Sequence, residues 1–429
     1  MKIGRAIPAA VAGLAVRILR RWRGLPPRIW HGPAPLHSTR DNVLADRAAG
    51  YPSRSVVSHT KPLPYELITA AEFDLVVNDL DIPWDERAWV ALSDLLRHGD
   101  IWVAYFDSLF FEANGRRRAE RVLKFLRLLG IRIVVMPHGS DIIQLSDAPT
   151  RYDWIGRFQR DYPEWDFRQQ TPLSRMRVEL FSRYADVVIA AEPATRHLMT
   201  RCDLTFKYYL IDTSRLQPSP APEREVPVII HAPNHRLVKG TDFLLDALER
   251  LRAAGFAFEL RLIERVPRQE ALRMYRDADI IADQFCIGAY GVFALEGLAL
   301  GKPVITYLDE EHLRDPAFNL PIINGVPERL PEILAPLLAI PELRRRIGAA
   351  SRDAVVRYQS IEAMGEVWDR IYRHVWRGEP LALQTTAHFD PKRGTRSVTE
   401  DPAQAEFWPV PVDDLMPQIV EVVRRIRSA

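Results

Sequence analysis

The sequence predicts an α/β protein of two doubly wound domains, each an open parallel sheet with helices on both faces. Three observations carry this. A chain of 429 residues is too long for one hydrophobic core. From Pro27 to about Ile211, short β-branched runs alternate with helical stretches, the order that builds parallel sheets. The same order restarts after LQPSPAPEREV at 216–226, a proline-rich polar stretch without periodicity that reads as a linker. The expected division is a basic extension over 1–25, a first domain over 26–215, the linker over 216–226, a second domain over 227–377 and a C-terminal extension over 378–429.

The first 24 residues, MKIGRAIPAAVAGLAVRILRRWRG, carry six basic side chains and no acid. The apolar run at 6–16 is too short to span a bilayer. No small-residue cleavage pattern follows it before the arginines. Three readings stay open: a helix lying on anionic lipid, with Trp22 and the arginines at the interface, a loosely ordered extension, or a helix packed on the first domain. Candidate strands of the first domain are Arg28–His31, Arg54–Ser58, Phe73–Asp79, Trp102–Phe106, Arg132–Pro137 and Asp186–Ala190. Within GRRRAERVLKFLRLLG, Val122, Leu123, Leu126 and Leu129 recur at helical spacing and Gly130 is a natural stop. In the second domain VPVIIHAP is a strand, Thr241–Leu251 a helix, FAFELRLIE a strand and Pro267–Asp277 a helix. The strand DADIIADQ, a helix within GAYGVFALEGLALGKPVI and the strand PVITY follow. Helices are expected over Glu328–Tyr358 and Ile361–Trp376, and the last ~50 residues are irregular except for a helix at Val412–Ile426.

Composition excludes several function classes. A net charge of +2 gives no basic excess for a nucleic-acid partner. Only seven of the 58 basic residues are Lys, a bias of composition rather than a binding surface. Two cysteines, Cys202 and Cys286, make neither a disulfide framework nor a thiolate metal site, which suits a reducing cytoplasm. The chain has no GxGxxG, GxxxxGK[ST] or GxSxG, and its His, Asp and Glu spacings suggest no metal site.

Two segments carry chemistry. In VIIHAPNHRLVKGTDFLLDALERL the strand ends near His231, Arg236 and Lys239 fall in the loop, and Thr241 can cap the helix. Cations at the carboxyl end of a strand beside a helix N-terminus suit a diphosphate. In GAYGVFALEGLALGKPVI, residues 288–305, the glycines turn the chain and a helix begins near Gly291, its free N–H groups aimed at an anion. Glu296 follows about 7–8 Å along the axis, the offset from a phosphate to a ribose. Its neighbours Leu295, Leu298, Ala299 and Leu300 are apolar, so the carboxylate needs a partner or a ligand.

Together these segments resemble the retaining nucleotide-sugar glycosyltransferases of family 4, which have the GT-B fold of two facing Rossmann-like domains. HRLVKGTDFLLDALERL is similar to that family's basic loop, which implies that Arg236 and Lys239 hold a donor diphosphate. GAYGVFALEGLALGKPVI resembles the family signature of two glutamates separated by seven residues. The second glutamate, which binds ribose, falls on Glu296, and the backbone donors fall on Tyr290, Gly291, Val292 and Phe293. The first should stand where this chain has Gly288, and Asp283 is the nearest acid upstream. VVMPHGSDII is similar to the family's loop facing the donor sugar, which makes His138 and Asp141 the candidate catalytic residues. Tyr290, Gly288 and Asp283 are candidate sugar contacts. The resemblance implies a cytoplasmic enzyme without cofactor or metal, held at the inner membrane face if residues 1–24 bind lipid. Its substrates would be a nucleotide-diphosphate sugar and a glycan, lipid-linked or small-molecule acceptor. Gly288 keeps a rival reading open, a GT-B protein that binds sugar nucleotides or scaffolds polysaccharide assembly without transfer. A nucleotide-sugar epimerase of the same architecture is a second alternative.

Overall fold

The computed structural model describes residues 7–34, 36–58, 70–80, 84–108, 110, 115–139, 141–142, 151–163, 167–219, 224–314, 320–381 and 401–429. It contains two parallel sheets. The first opens with helix α1 (Ile7–Trp22), then β1 (Ile29–His31), α2 (His37–Ala48), β2 (Ser53–Val57), β3 (Leu75–Val76), α3 (Trp84–His98), β4 (Ile101–Tyr105), α4 (Arg116–Leu128) and β5 (Arg132–Met136). It closes with α5 (Trp154–Asp161), α6 (Phe167–Tyr184), β6 (Val187–Ala190) and β7 (Leu204–Thr205). The strand order is β3-β2-β1-β4-β5-β6-β7, all parallel, with the connection reversing between β1 and β4.

The second unit runs β8 (Val228–His231), α7 (Arg236–Lys239), α8 (Thr241–Ala253), β9 (Glu259–Leu262), α9 (Arg268–Tyr275), β10 (Ile280–Ala282) and α10 (Val292–Ala299). It continues with β11 (Val304–Thr306), α11 (Glu310–Arg314), β12 (Ile323–Asn324), α12 (Leu330–Ala339), α13 (Pro341–Tyr358), α14 (Ile361–Arg377) and α15 (Met416–Ser428). Its order is β12-β11-β10-β8-β9, with the reversal between β8 and β10. Both sheets are therefore doubly wound, and ligands of such sheets sit off the carboxyl ends at the reversal. Strands β8 and β10 are wholly buried and apolar except for His231 at the end of β8, as expected of a sheet covered on both faces.

Several elements differ from expectation. The helix read over Glu328–Tyr358 is two helices meeting at Ile340–Pro341, because Pro341 lacks the N–H that would carry the first through. The strand read over Phe73–Asp79 keeps only Leu75–Val76. Within the C-terminal extension, residues 401–415 are packed rather than loose: Phe407, Trp408, Val410, Val412 and Leu415 join the second core. Helix α14 lies in the range assigned to the second domain, yet packs on the first. Its Trp368 Nε1 donates to Asn42 Oδ1 at 3.1 Å, and its Tyr372 hydroxyl donates to Asp46 Oδ1 at 2.9 Å. The chain thus crosses between units twice, and the crossings touch where Ile211 N donates to Gln359 O at 2.8 Å.

Candidate active site

The carboxyl ends of the two sheets face one another across a cleft of about 450 Å³. The first unit offers the N-terminal part of α2 (His37, Ser38, Asp41) and His138 after β5. The second offers the segments after β8 and β9, Lys239 of α7, Arg268 of α9, and Val292, Phe293 and Glu296 of α10.

Glu296 is buried, 4 % exposed, on a helix otherwise made of apolar residues. Its partner is Arg268, whose Nε and Nη2 donate to the same carboxylate oxygen at 3.0 and 2.7 Å. Burial pushes the carboxyl pKa up and Arg268 opposes it. Val292 and Phe293 open the same helix, capped by the backbone of Gly291.

Behind that helix start lies an acid. Asp283, fully buried, accepts from Gly291 N at 3.2 Å and pairs with Lys239 Nζ at 3.4 Å. Gln284 accepts from the same ammonium at 2.7 Å and donates to the Ala289 carbonyl, so one short segment binds both the cation and the glycine turn. Asp283 is thereby committed to the turn and does not line the cleft.

Residues expected to act together are not all together. Arg236 turns away from the cleft to bond Glu264 at 2.7 and 2.5 Å, and its side chain is half exposed. The stretch Arg236–Lys239, read as loop, is a single helical turn that points Lys239 inward and Arg236 outward. Arg265 and Arg268 line the cleft instead. Sequence reasoning missed both. The signal for Arg268 was its place at the first turn of the predicted helix Pro267–Asp277, next to strand β9's carboxyl end. For Arg265, whose φ of 57° is unusual outside glycine, there was no signal. Thr241 does not cap α8; its hydroxyl bonds His231 Nε2 at 2.8 Å.

Gly288 has φ 85°, and a Cβ there would meet Asp309 Oδ2 at 2.8 Å. The Asp309 side chain thus fills the space beside the position where the signature expects an acid. Asp309 also accepts from His312 N at 2.8 Å, and burial raises its pKa to about 6. Tyr290 is buried, its ring 5.2 Å from the buried Lys207 ammonium of the first unit, so the turn is also an inter-unit contact.

His138 reaches the cleft with Nε2 2.9 Å from Asp107 Oδ2. Burial lowers its pKa, but Asp141 and Asp107 outweigh that and bring it to about 9. Asp141 is buried and stays behind the loop, accepting from the backbone of Phe106, His138 and Gly139 at 3.0–3.1 Å. Asp107, His138 and Asp141 form the one group among the described residues with metal-ligand spacing. His138 Nε2 is engaged by Asp107 Oδ2 and Asp141 by three backbone N–H groups, while Asp107 Oδ1 is buried without a hydrogen-bond partner among the described residues.

No family model and no curated protein matches this chain. Among solved structures it is similar to sucrose-phosphate synthase from Thermosynechococcus elongatus. The two share 14 % identity and a TM-score of 0.53, over 82 % of this chain and 96 % of that one. It is also similar to Alr3699/HepE from Anabaena in complex with UDP, with 15 % identity and a TM-score of 0.50, over 80 % of this chain and 99 % of that one. At these identities the likeness shows the fold, the GT-B arrangement of two Rossmann-like domains.

Proposed function

We propose that this chain is a retaining glycosyltransferase that moves a sugar from a nucleotide-diphosphate donor to a glycan, lipid-linked or small-molecule acceptor. One observation carries the reading: a buried carboxylate, Glu296, stands on a helix whose N-terminus faces a cleft lined by Lys239, Arg265 and Arg268. A ribose needs a carboxylate for its two hydroxyls, and a diphosphate needs cations and free N–H groups; here they are adjacent. Lys239, Arg265 and Arg268 offset the charge of the leaving diphosphate, so no metal is required. His138, an imidazolium at neutral pH, donates a hydrogen bond to the sugar rather than acting as base or nucleophile. Asp141 positions its loop. The first unit offers the acceptor its side of the cleft, and closure of the two units excludes water.

The GT-B fold and the UDP held by HepE support this reading. On the same reading the enzyme works in the cytoplasm at the inner face of the membrane. Among the described residues no helix is long and apolar enough to cross a membrane. The test is incubation with UDP-, GDP- and ADP-sugars and candidate acceptors, scoring released nucleotide. Release that needs an acceptor supports transfer. Nucleotide binding without release under every acceptor favours the non-transferring rival, and donor conversion without acceptor favours an epimerase.

A further inference from the structure

Helix α1 buries its small residues and exposes its large ones. Ala9, Ala10 and Gly13 face the first unit. A Cβ on Gly13 would stand 1.7 Å from the Leu96 carbonyl oxygen, so the helix backbone lies directly on the end of α3. Arg17 anchors the same face, donating to the Leu129 and Gly99 carbonyls at 2.9 Å each and pairing with buried Asp100 at 3.4 Å. The outward face carries Ile7, Val11, Ile18 and Trp22 at helical spacing, exposed by 51, 64, 60 and 80 %. Packing on the first unit accounts for the inner face and leaves this outer one unexplained.

Helix α4 supplies an independent observation. Arg117, Arg121, Lys124 and Leu128 share its exposed side, and Leu128 is 83 % exposed. The Arg17–Leu129 bond joins the C-terminal end of α4 to the inner face of α1. Exposed Arg21 and Arg23 continue the charge, and no acid precedes Asp41 in the sequence. The one acid within α4, Glu120, is paired with Lys124 at 3.1 Å. Beside the end of α1, Arg21, Arg132, His374 and Arg377 line an open hollow of about 500 Å³ that contains one acid, Asp186.

We propose that this composite face docks on an anionic bilayer. Ile7, Val11, Ile18 and Trp22 enter the boundary between headgroups and acyl chains, as amphipathic surface helices do. The basic side of α4 and the arginine hollow meet lipid phosphates. The anchoring carbonyls of Gly99 and Leu129 stand just before β4 and β5, at the strand ends opposite the cleft, so docking leaves the cleft mouth open. The inference rests on the reading that the enzyme works at a membrane, and adds which surface makes the contact.

The test is sedimentation of the full chain with vesicles of phosphatidylcholine alone and with about one third phosphatidylglycerol, which needs no sugar transfer. A failed transferase reading therefore leaves this result standing, and the reverse. Wild type binds the anionic vesicles, and high salt releases it. The variant Arg117→Glu/Arg121→Glu/Lys124→Glu binds about a hundredfold more weakly. Ile18→Ser/Trp22→Ala loses about tenfold while keeping the wild-type melting temperature, since neither side chain is packed. Absence of binding to anionic vesicles overturns the proposal, as do variants that bind like wild type. It is also overturned if wild type dimerises in the ultracentrifuge and Trp22→Ala abolishes the dimer, because a second copy then covers the face.

Discussion

Arg268 and Glu296 face each other across the first turn of α9 and the middle of α10, two guanidinium nitrogens on one carboxylate oxygen at 3.0 and 2.7 Å. The pair resolves a conflict: an acid buried among leucines has its charge offset from an element distant in sequence. It also sets Arg268 on the wall of the cleft.

Removing one member of the pair is costly. Arg268→Ala leaves Glu296 buried without its partner and is expected to destabilise the fold by about 2–4 kcal/mol. Glu296→Gln keeps an acceptor for Arg268 and costs about 1 kcal/mol or less. Urea unfolding of both variants checks the difference; equal losses would mean the carboxylate is solvated.

Lys239 and Arg236 separate in function. Lys239→Ala weakens nucleoside-diphosphate binding at least about tenfold by calorimetry, since a charge-assisted bond to phosphate contributes about 1.5–3 kcal/mol. Arg236→Ala, whose partner is Glu264 outside the cleft, changes affinity less than about twofold. A larger loss in Arg236→Ala than in Lys239→Ala would reverse the assignment.

How far the site was legible in the sequence follows from these two cations. Spacing located the loop, the glycine turn and the buried acid, because alternation and apolar runs are local properties. It could not say which way each side chain of the turn Arg236–Lys239 points, nor that Arg268 reaches Glu296 across 28 positions. Helix α14 shows the same limit: its periodicity was plain, but its bonds to Asn42 and Asp46 depend on the chain's return to the first sheet. Trp408 and its neighbours lacked periodicity altogether, so their place in the second core was invisible before folding.

His138 carries a pH prediction. Its folded-state pKa of about 9 lies above the ordinary histidine value, held there by Asp141 and Asp107 against burial. The stability it contributes, at most about 3 kcal/mol, is complete below about pH 6.5 and is lost as pH rises through about 9. Sugar transfer should fall over the same upper range as the hydrogen-bond donor is lost. Urea midpoints of wild type and His138→Gln between pH 6 and 10 check this: the gap narrows with rising pH, and a constant gap refutes it.

Asp309 carries a second pH prediction. Burial raises its pKa to about 6, so at pH 7 the folded chain holds a carboxylate whose ionisation is disfavoured relative to the unfolded chain. Asp309→Asn retains an acceptor for His312 N and is expected to stabilise the fold at pH 7 by about 1–2 kcal/mol. The gain shrinks as pH falls through about 6. Urea unfolding of wild type and Asp309→Asn at about pH 5 and about pH 7 checks this, and an equal difference at both would show that burial of the carboxylate has no cost.

The central claim is that Glu296 and the cations beside it form a nucleoside-diphosphate seat. Its most direct test is calorimetric titration of UDP, GDP and ADP into wild type and Glu296→Gln. The account predicts that at least one of them binds wild type with micromolar affinity and binds Glu296→Gln at least about tenfold more weakly, with the melting temperature preserved. Equal binding by both proteins, or no binding of any of the three to wild type, would contradict it.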